Sequence, residues 1–136
     1  MARNRGKRLA AACRAVAAVC AAALLGALSP PAAADAEVLR AWTDAIAAGD
    51  AAGCAERFAD GATFVDLGRD LGDRIDWFCG AVIDGGGRYE VLSTETWGET
   101  TVWMLRYTAG SYVLDGRGEL DAHDGRIRRL VIERRP

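Results

Sequence analysis

The stretch that decides the fold runs from Tyr89 to Glu133, YEVLSTETWGETTVWMLRYTAGSYVLDGRGELDAHDGRIRRLVIE. Read in period two, it divides into four strands, Tyr89 to Trp97, Thr100 to Thr108, Ser111 to Ala122 and Ile127 to Glu133, because β side chains alternate between two faces and the breaks fall at turn dipeptides. Gly98-Glu99, Ala109-Gly110 and Asp124-Gly125 are hairpin turns, so the strands form an antiparallel meander. On one face lie Trp103, Leu105 and Tyr107 of the second strand and Tyr112, Leu114, Gly116, Gly118 and Leu120 of the third. The opposite face of the third strand carries Val113, Asp115, Arg117, Glu119 and Asp121, which suits water or a polar partner.

Upstream of the meander the period changes to that of a helix. Val38, Leu39, Trp42, Ala45, Ile46 and Gly49 recur at spacings of three and four between Glu37 and Asp50, the pattern of an amphipathic helix. Asp50 is placed to cap a second short helix through Ala51, Cys54, Ala55 and Phe58, which Asp60-Gly61 ends. Ala62 to Val65 reads as a short strand. A Gly- and Asp-rich loop, Asp66 to Asp73, leads to a third helix with the stripe Ile75, Phe78, Cys79 and Val82. Gly85-Gly86-Gly87 stops it. That triplet leads into a strand and not into a helix N-terminus, so it is a turn and not a phosphate loop.

The first 36 residues read as a signal peptide. Arg3, Arg5, Lys7, Arg8 and Arg14 precede an uncharged run from Ala15 to Leu28, too short at 14 residues to cross a bilayer, which needs roughly 20. Ser29-Pro30-Pro31 follows, then two overlapping cleavage patterns, Ala32-Ala33-Ala34 and Ala34-Asp35-Ala36, so cleavage is expected after Ala34 or Ala36. Cys20 follows Val19 and Cys13 precedes the apolar run, neither of which suits a lipoprotein anchor. The expected location is secreted, periplasmic or otherwise extracytoplasmic, with one domain over residues 37–136.

Composition excludes several chemistries. Loss of residues 1–36 removes five of the 17 basic side chains and one of the 19 acidic ones, leaving 12 against 18 and a net charge of −6. That argues against nucleic acid, whose phosphates are bound by clustered Lys and Arg. Residues 37–136 contain no Lys, Asn or Gln, so Schiff-base chemistry has no side-chain amine. The one histidine, His123, adjoins a turn, which leaves no basis for a histidine-paired nucleophile or a zinc site. No metal and no cofactor is expected. The two cysteines of the domain, Cys54 and Cys79, lie on the buried stripes of neighbouring helices; an oxidising compartment favours a disulfide between them, the alternative being two reduced thiols packed as small apolar side chains.

Three N-terminal helices, a short strand and a curved antiparallel meander make an α+β chain that resembles the nuclear-transport-factor-2-like, or SnoaL-like, cone-fold superfamily, with its cystatin-like architecture. The resemblance rests on the Trp42 helix ending in Ala48-Gly49-Asp50, on Phe58-Ala59-Asp60-Gly61-Ala62-Thr63-Phe64-Val65-Asp66, and on Asp124-Gly125-Arg126-Ile127. It covers the chain beyond the signal peptide. The superfamily includes ketosteroid isomerase, limonene epoxide hydrolase, scytalone dehydratase and polyketide cyclases, together with carriers and association modules, so fold does not assign chemistry.

What the resemblance implies centres on Asp66, which follows the short strand where isomerase-type relatives place a proton-moving carboxylate; an apolar cone would raise its pKa toward that task. The isomerase tyrosine of the first helix is replaced here by Trp42, and the sheet acid falls at Gly116 or Arg117, so steroid isomerisation is not implied. Trp42, Trp103, Tyr107 and Tyr89, with Trp77 and Tyr112, supply aromatic surface for a flat hydrophobic molecule. Three readings follow: a small domain binding a hydrophobic small molecule in an apolar cone; an isomerase-, cyclase-, dehydratase- or hydrolase-type enzyme with Asp66 as general base; and an association module forming a homodimer through the sheet.

Overall fold

A computed structural model of the chain describes residues 31–136, with side chains from Ala34; residues 1–30, on which the expected signal-peptide core falls, lie outside the described residues. Helix α1 spans Pro31–Ala47 and begins ahead of the expected Glu37. Its first turn is almost all alanine, the best helix former, and proline is tolerated at a first helical position. Val38, Leu39, Trp42, Ala45 and Ile46 are buried along one face. Gly49, with φ at 72°, ends the segment in the left-handed conformation that glycine adopts without strain. The Asp50 carboxylate then accepts the Gly53 N–H at 2.9 Å and starts helix α2, Ala51–Glu56.

Helix α2 is shorter than the sequence pattern suggested. Phe58 opens strand β1, Phe58–Asp66, and pairs with Ile127, so its apolar side chain enters the core from a strand. A shift of register separates that pair from Thr63 and Arg129. Leu67 and Gly68, with φ of 49° and 82°, turn the chain into strand β2, Arg69–Asp70. Helix α3 is Ile75–Asp84 and buries Phe78, Cys79 and Val82. Strands β3 (Arg88–Trp97), β4 (Thr100–Ala109), β5 (Tyr112–His123) and β6 (Arg126–Arg134) form the meander.

One feature corrects the expected fold. The sheet order is β2-β1-β6-β5-β4-β3 with β1 parallel to β6, so the sheet is mixed and not purely antiparallel. Helix α3 lies between β2 and β3, so the short strand precedes the third helix and all three helices precede the meander, in the order the sequence pattern predicts. The physical reason for the mixed sheet is that the meander leaves the outer edge of β6 unpaired, and β1 fills it before the chain crosses back through α3. Open strand edges are stabilised by such pairing.

The core is built where the concave sheet face meets the helices. Trp42, Phe64, Trp103, Leu105, Leu120, Ile127 and Leu130 are fully buried there. Cys54 of α2 and Cys79 of α3, both fully buried, form a disulfide with their Cα atoms 6.0 Å apart. The convex face is polar. Arg106 pairs with Asp115 at 2.8 Å, and Glu119 accepts from Arg117 at 2.8 Å and from Arg129 at 2.9 Å.

Candidate ligand site at the mouth of the cone

Strand alternation decides where Asp66 points. Ala62 and Phe64 are buried on the concave face, Asp66 shares their parity, and its register partner Ile132 is also buried. The half-buried carboxylate is therefore the last residue of β1 to face the helix side. Burial holds it above the ordinary aspartate range, and the nearby Arg69 guanidinium offsets only part of that effect. The following residue, Leu67, adopts a positive φ that is uncommon for a branched side chain, and its N–H donates to the Ile132 carbonyl at 2.9 Å. The strand end that carries Asp66 is thus pinned to β6 on one side and to β2 on the other.

Two phenols share the electrostatic environment of Asp66. Burial first, and then the Asp66 carboxylate, push the Tyr89 hydroxyl well above the ordinary tyrosine value; the same two causes in the same order raise Tyr107. Both phenols therefore remain protonated donors at neutral pH. Their rings lie 4.8 Å apart, and Tyr112 continues the row 6.2 Å from Tyr107. Tyr107 also leans over the α3–β3 connection, where any side chain at Gly87 would collide with its ring and hydroxyl. One carboxylate acceptor and a short row of donor-bearing aromatic rings thus share the helix side of the sheet within electrostatic reach of one another.

The other expected ligand-binding residues have a different place. Trp42 and Trp103 are completely buried, with centroids 6.3 Å apart and planes at 86°, and Trp42 also packs on Tyr89 at 5.0 Å. They fill the interior of the cone and support the mouth from beneath. Arg117 faces outward to Glu119, while Gly116 occupies the concave face, so neither supplies an acid to the site. Tyr112 is 47% exposed and Trp77 54% exposed, the latter under the Arg74 guanidinium at 4.5 Å. Among the described residues no group of His, Cys, Asp and Glu side chains is arranged to hold a metal ion.

Sequence reasoning missed a second concavity. A crevice of about 780 Å³ opens near the β3–β4 and β5–β6 turns, where Asp35, Asp60, Glu99, Thr100, Asp121 and Arg129 contribute to its walls. Asp35, from α1, is 8% exposed and its carboxylate accepts the hydroxyl of buried Thr101 at 3.1 Å. Asp121 accepts from Thr100 at 2.6 Å. Burial and the neighbouring Asp121 charge raise the Asp35 carboxyl, with the Thr101 bond acting the other way. This crevice is walled mainly by polar and charged side chains and is separate from the concave face that carries Asp66, Tyr89 and Tyr107. The 66 residues separating Asp35 from Thr101 explain why no local pattern announced it.

No protein-family model and no curated protein matches the chain. Several solved structures do. A nuclear-transport-factor-2-like protein of unknown function from Mesorhizobium loti is similar over 79% of this chain and 96% of its own, with a TM-score of 0.65 and 19% identity. A putative polyketide cyclase from Sinorhizobium meliloti aligns over 71% and 94%, with a TM-score of 0.61 and 20% identity. A hypothetical protein with a ketosteroid isomerase-like fold from Catenulispora acidiphila, solved in complex with trimethylamine, aligns over 71% and 83%, with a TM-score of 0.61 and 14% identity. A structure from Novosphingobium aromaticivorans described as a cystatin fold gives a TM-score of 0.63 over 72% and 96%, at 14% identity. With its helices on the concave face of a curved sheet, the chain has the nuclear-transport-factor-2-like, cystatin-like cone fold.

Proposed function

We propose that the protein binds a small, mainly apolar molecule carrying one polar oxygen, seated at the mouth of the cone and not in its depth. The observation that carries this reading is the Tyr89–Tyr107 ring pair, 4.8 Å between centroids, on the same helix-facing side of the sheet as the half-buried Asp66. Apolar sites with a few convergent polar groups are the usual form of small-molecule sites. Trp42 and Trp103 occupy the interior, so the ligand contacts ring faces at the rim while a phenol donates to its oxygen. We further place the working protein outside the cytoplasm, on the strength of the basic leader and the small-residue cleavage patterns.

A thermal-shift screen of flat hydrophobic molecules, with and without a carbonyl or hydroxyl, tests the binding reading. Carbonyl or hydroxyl compounds are expected to raise the melting temperature, and Tyr89→Phe to weaken binding roughly five- to tenfold, the worth of one hydrogen bond. A panel in which purely apolar members bind as well as the others, with Tyr89→Phe unchanged, would sink it.

The raised carboxyl of Asp66 favours a second reading, an isomerase-, cyclase- or hydrolase-type enzyme in which Asp66 removes a proton next to a carbonyl. The proton moves from substrate carbon to the Asp66 oxygen while Tyr89 or Tyr107 donates to the developing enolate. Under that reading Asp66→Asn keeps binding and loses turnover; turnover that survives the substitution excludes Asp66 as base.

A further inference from the structure

We infer that an export peptidase cuts between Ala34 and Asp35, so that Asp35 becomes the first residue of the working protein and its buried side chain anchors the new N-terminus. The inference rests on the proposed export and chooses between the two junctions that the sequence leaves open. Hydrolysis breaks the Ala34–Asp35 peptide bond: water gives its hydroxyl to the Ala34 carbonyl carbon and a proton to the Asp35 nitrogen, which takes up a second proton as an ammonium.

The choice follows from what each cut does to one buried pair. Thr101 is 1% exposed, and its hydroxyl donates to the Asp35 carboxylate at 3.1 Å. Cleavage after Ala36 deletes Asp35 and strands that hydroxyl, and a buried polar group without a partner is destabilising. Cleavage after Ala34 keeps the pair. Cleavage after Ala36 also discards the only α1 carboxylate with a bond to the sheet among the described residues.

The new terminus also suits its surroundings. Asp35 has no Arg or Lys ion pair among the described residues, although it is buried and lies near Asp121. A buried carboxylate without a cation is unfavourable. An α-ammonium on Asp35 itself brings a positive charge to that wall of the crevice. In the shortened helix, Asp35 and Glu37 fall in the first turn, where their negative charge is stabilised by the helix dipole and offsets the ammonium, which the same dipole disfavours.

The test is N-terminal sequencing and intact mass of the full-length chain expressed in an export-competent bacterium. The expected product begins at Asp35. A product beginning at Glu37 overturns this inference and leaves export standing, whereas an intact chain retained in the cytoplasm overturns both. Two variants separate the junctions, since export peptidases require small residues one and three positions before the cut. Ala36→Phe spoils only the later junction and should leave the start at Asp35. Ala32→Phe spoils only the earlier one, and any product then starting at Glu37 should melt lower by roughly 4–8 °C. Loss of processing in Ala36→Phe together with normal processing in Ala32→Phe refutes the assignment.

Discussion

Trp103 lies flat across Gly118, its register partner on the neighbouring strand, so closely that a Cβ at 118 would overlap the indole nitrogen. Gly118 is thus the floor on which the largest core ring of the sheet rests. Gly118→Ala must push Trp103 out of a fully buried position. Overpacking of this kind costs about 1–3 kcal/mol. Chemical denaturation should show that loss, and an unchanged midpoint would mean that the indole has room the structure does not give it.

The meander was legible because each of its hairpins is short: Gly98-Glu99 and Asp124-Gly125 are the observed turns, and alternation put Trp103, Leu105, Leu114 and Leu120 inward as found. What escaped the sequence was long-range pairing. Phe58 continued a helical spacing, and only its pairing with Ile127 reveals a strand. Tyr112 has inward parity, yet it stands at the very start of β5 where the helices do not cover the sheet, so it is exposed. Asp66 could be placed by its strand, but its relation to Tyr89 and Tyr107 required the curvature of three separate strands.

Asp66 should destabilise the protein at neutral pH. Its carboxyl is raised in the folded chain, so stability is fullest below the unfolded value of 3.8 and declines as pH rises through the folded value. Asp66→Asn removes the ionisation and should raise the melting temperature at pH 7. The advantage should shrink as pH falls toward 3.8. Thermal melts of both proteins across that range check the sign; a variant less stable at pH 7 would mean that the carboxylate is stabilised by contacts not seen here.

The disulfide joins residues 25 apart and ties α2 to α3 beneath the core. In the chain-entropy model a loop of that size contributes about 3 kcal/mol. Replacing Cys54 and Cys79 together by alanine should therefore lower the melting temperature by roughly 12–24 °C for a domain of this size. Both cysteines are fully buried, so a mild reductant should act slowly on the folded protein and quickly once denaturant opens it. Rapid reduction without denaturant would show that the two helices separate readily.

Trp42 presents an unusual balance, because its indole N–H is buried with no hydrogen-bond acceptor. The ring meets Phe58 and Trp103 edge to face, with interplanar angles of 88° and 86°, so its packing is extensive while its one polar atom is unmatched. Truncation to alanine loses the packing and should cost about 3–5 kcal/mol. Replacement by phenylalanine also loses volume but removes the unmatched donor, whose burial costs about 1–3 kcal/mol. Trp42→Phe should therefore retain most of the stability that Trp42→Ala loses, a difference that denaturant titration resolves. If phenylalanine proves as damaging as alanine, the indole nitrogen has a partner in solution, and a bound water or ligand oxygen beneath Tyr89 becomes the place to look for it.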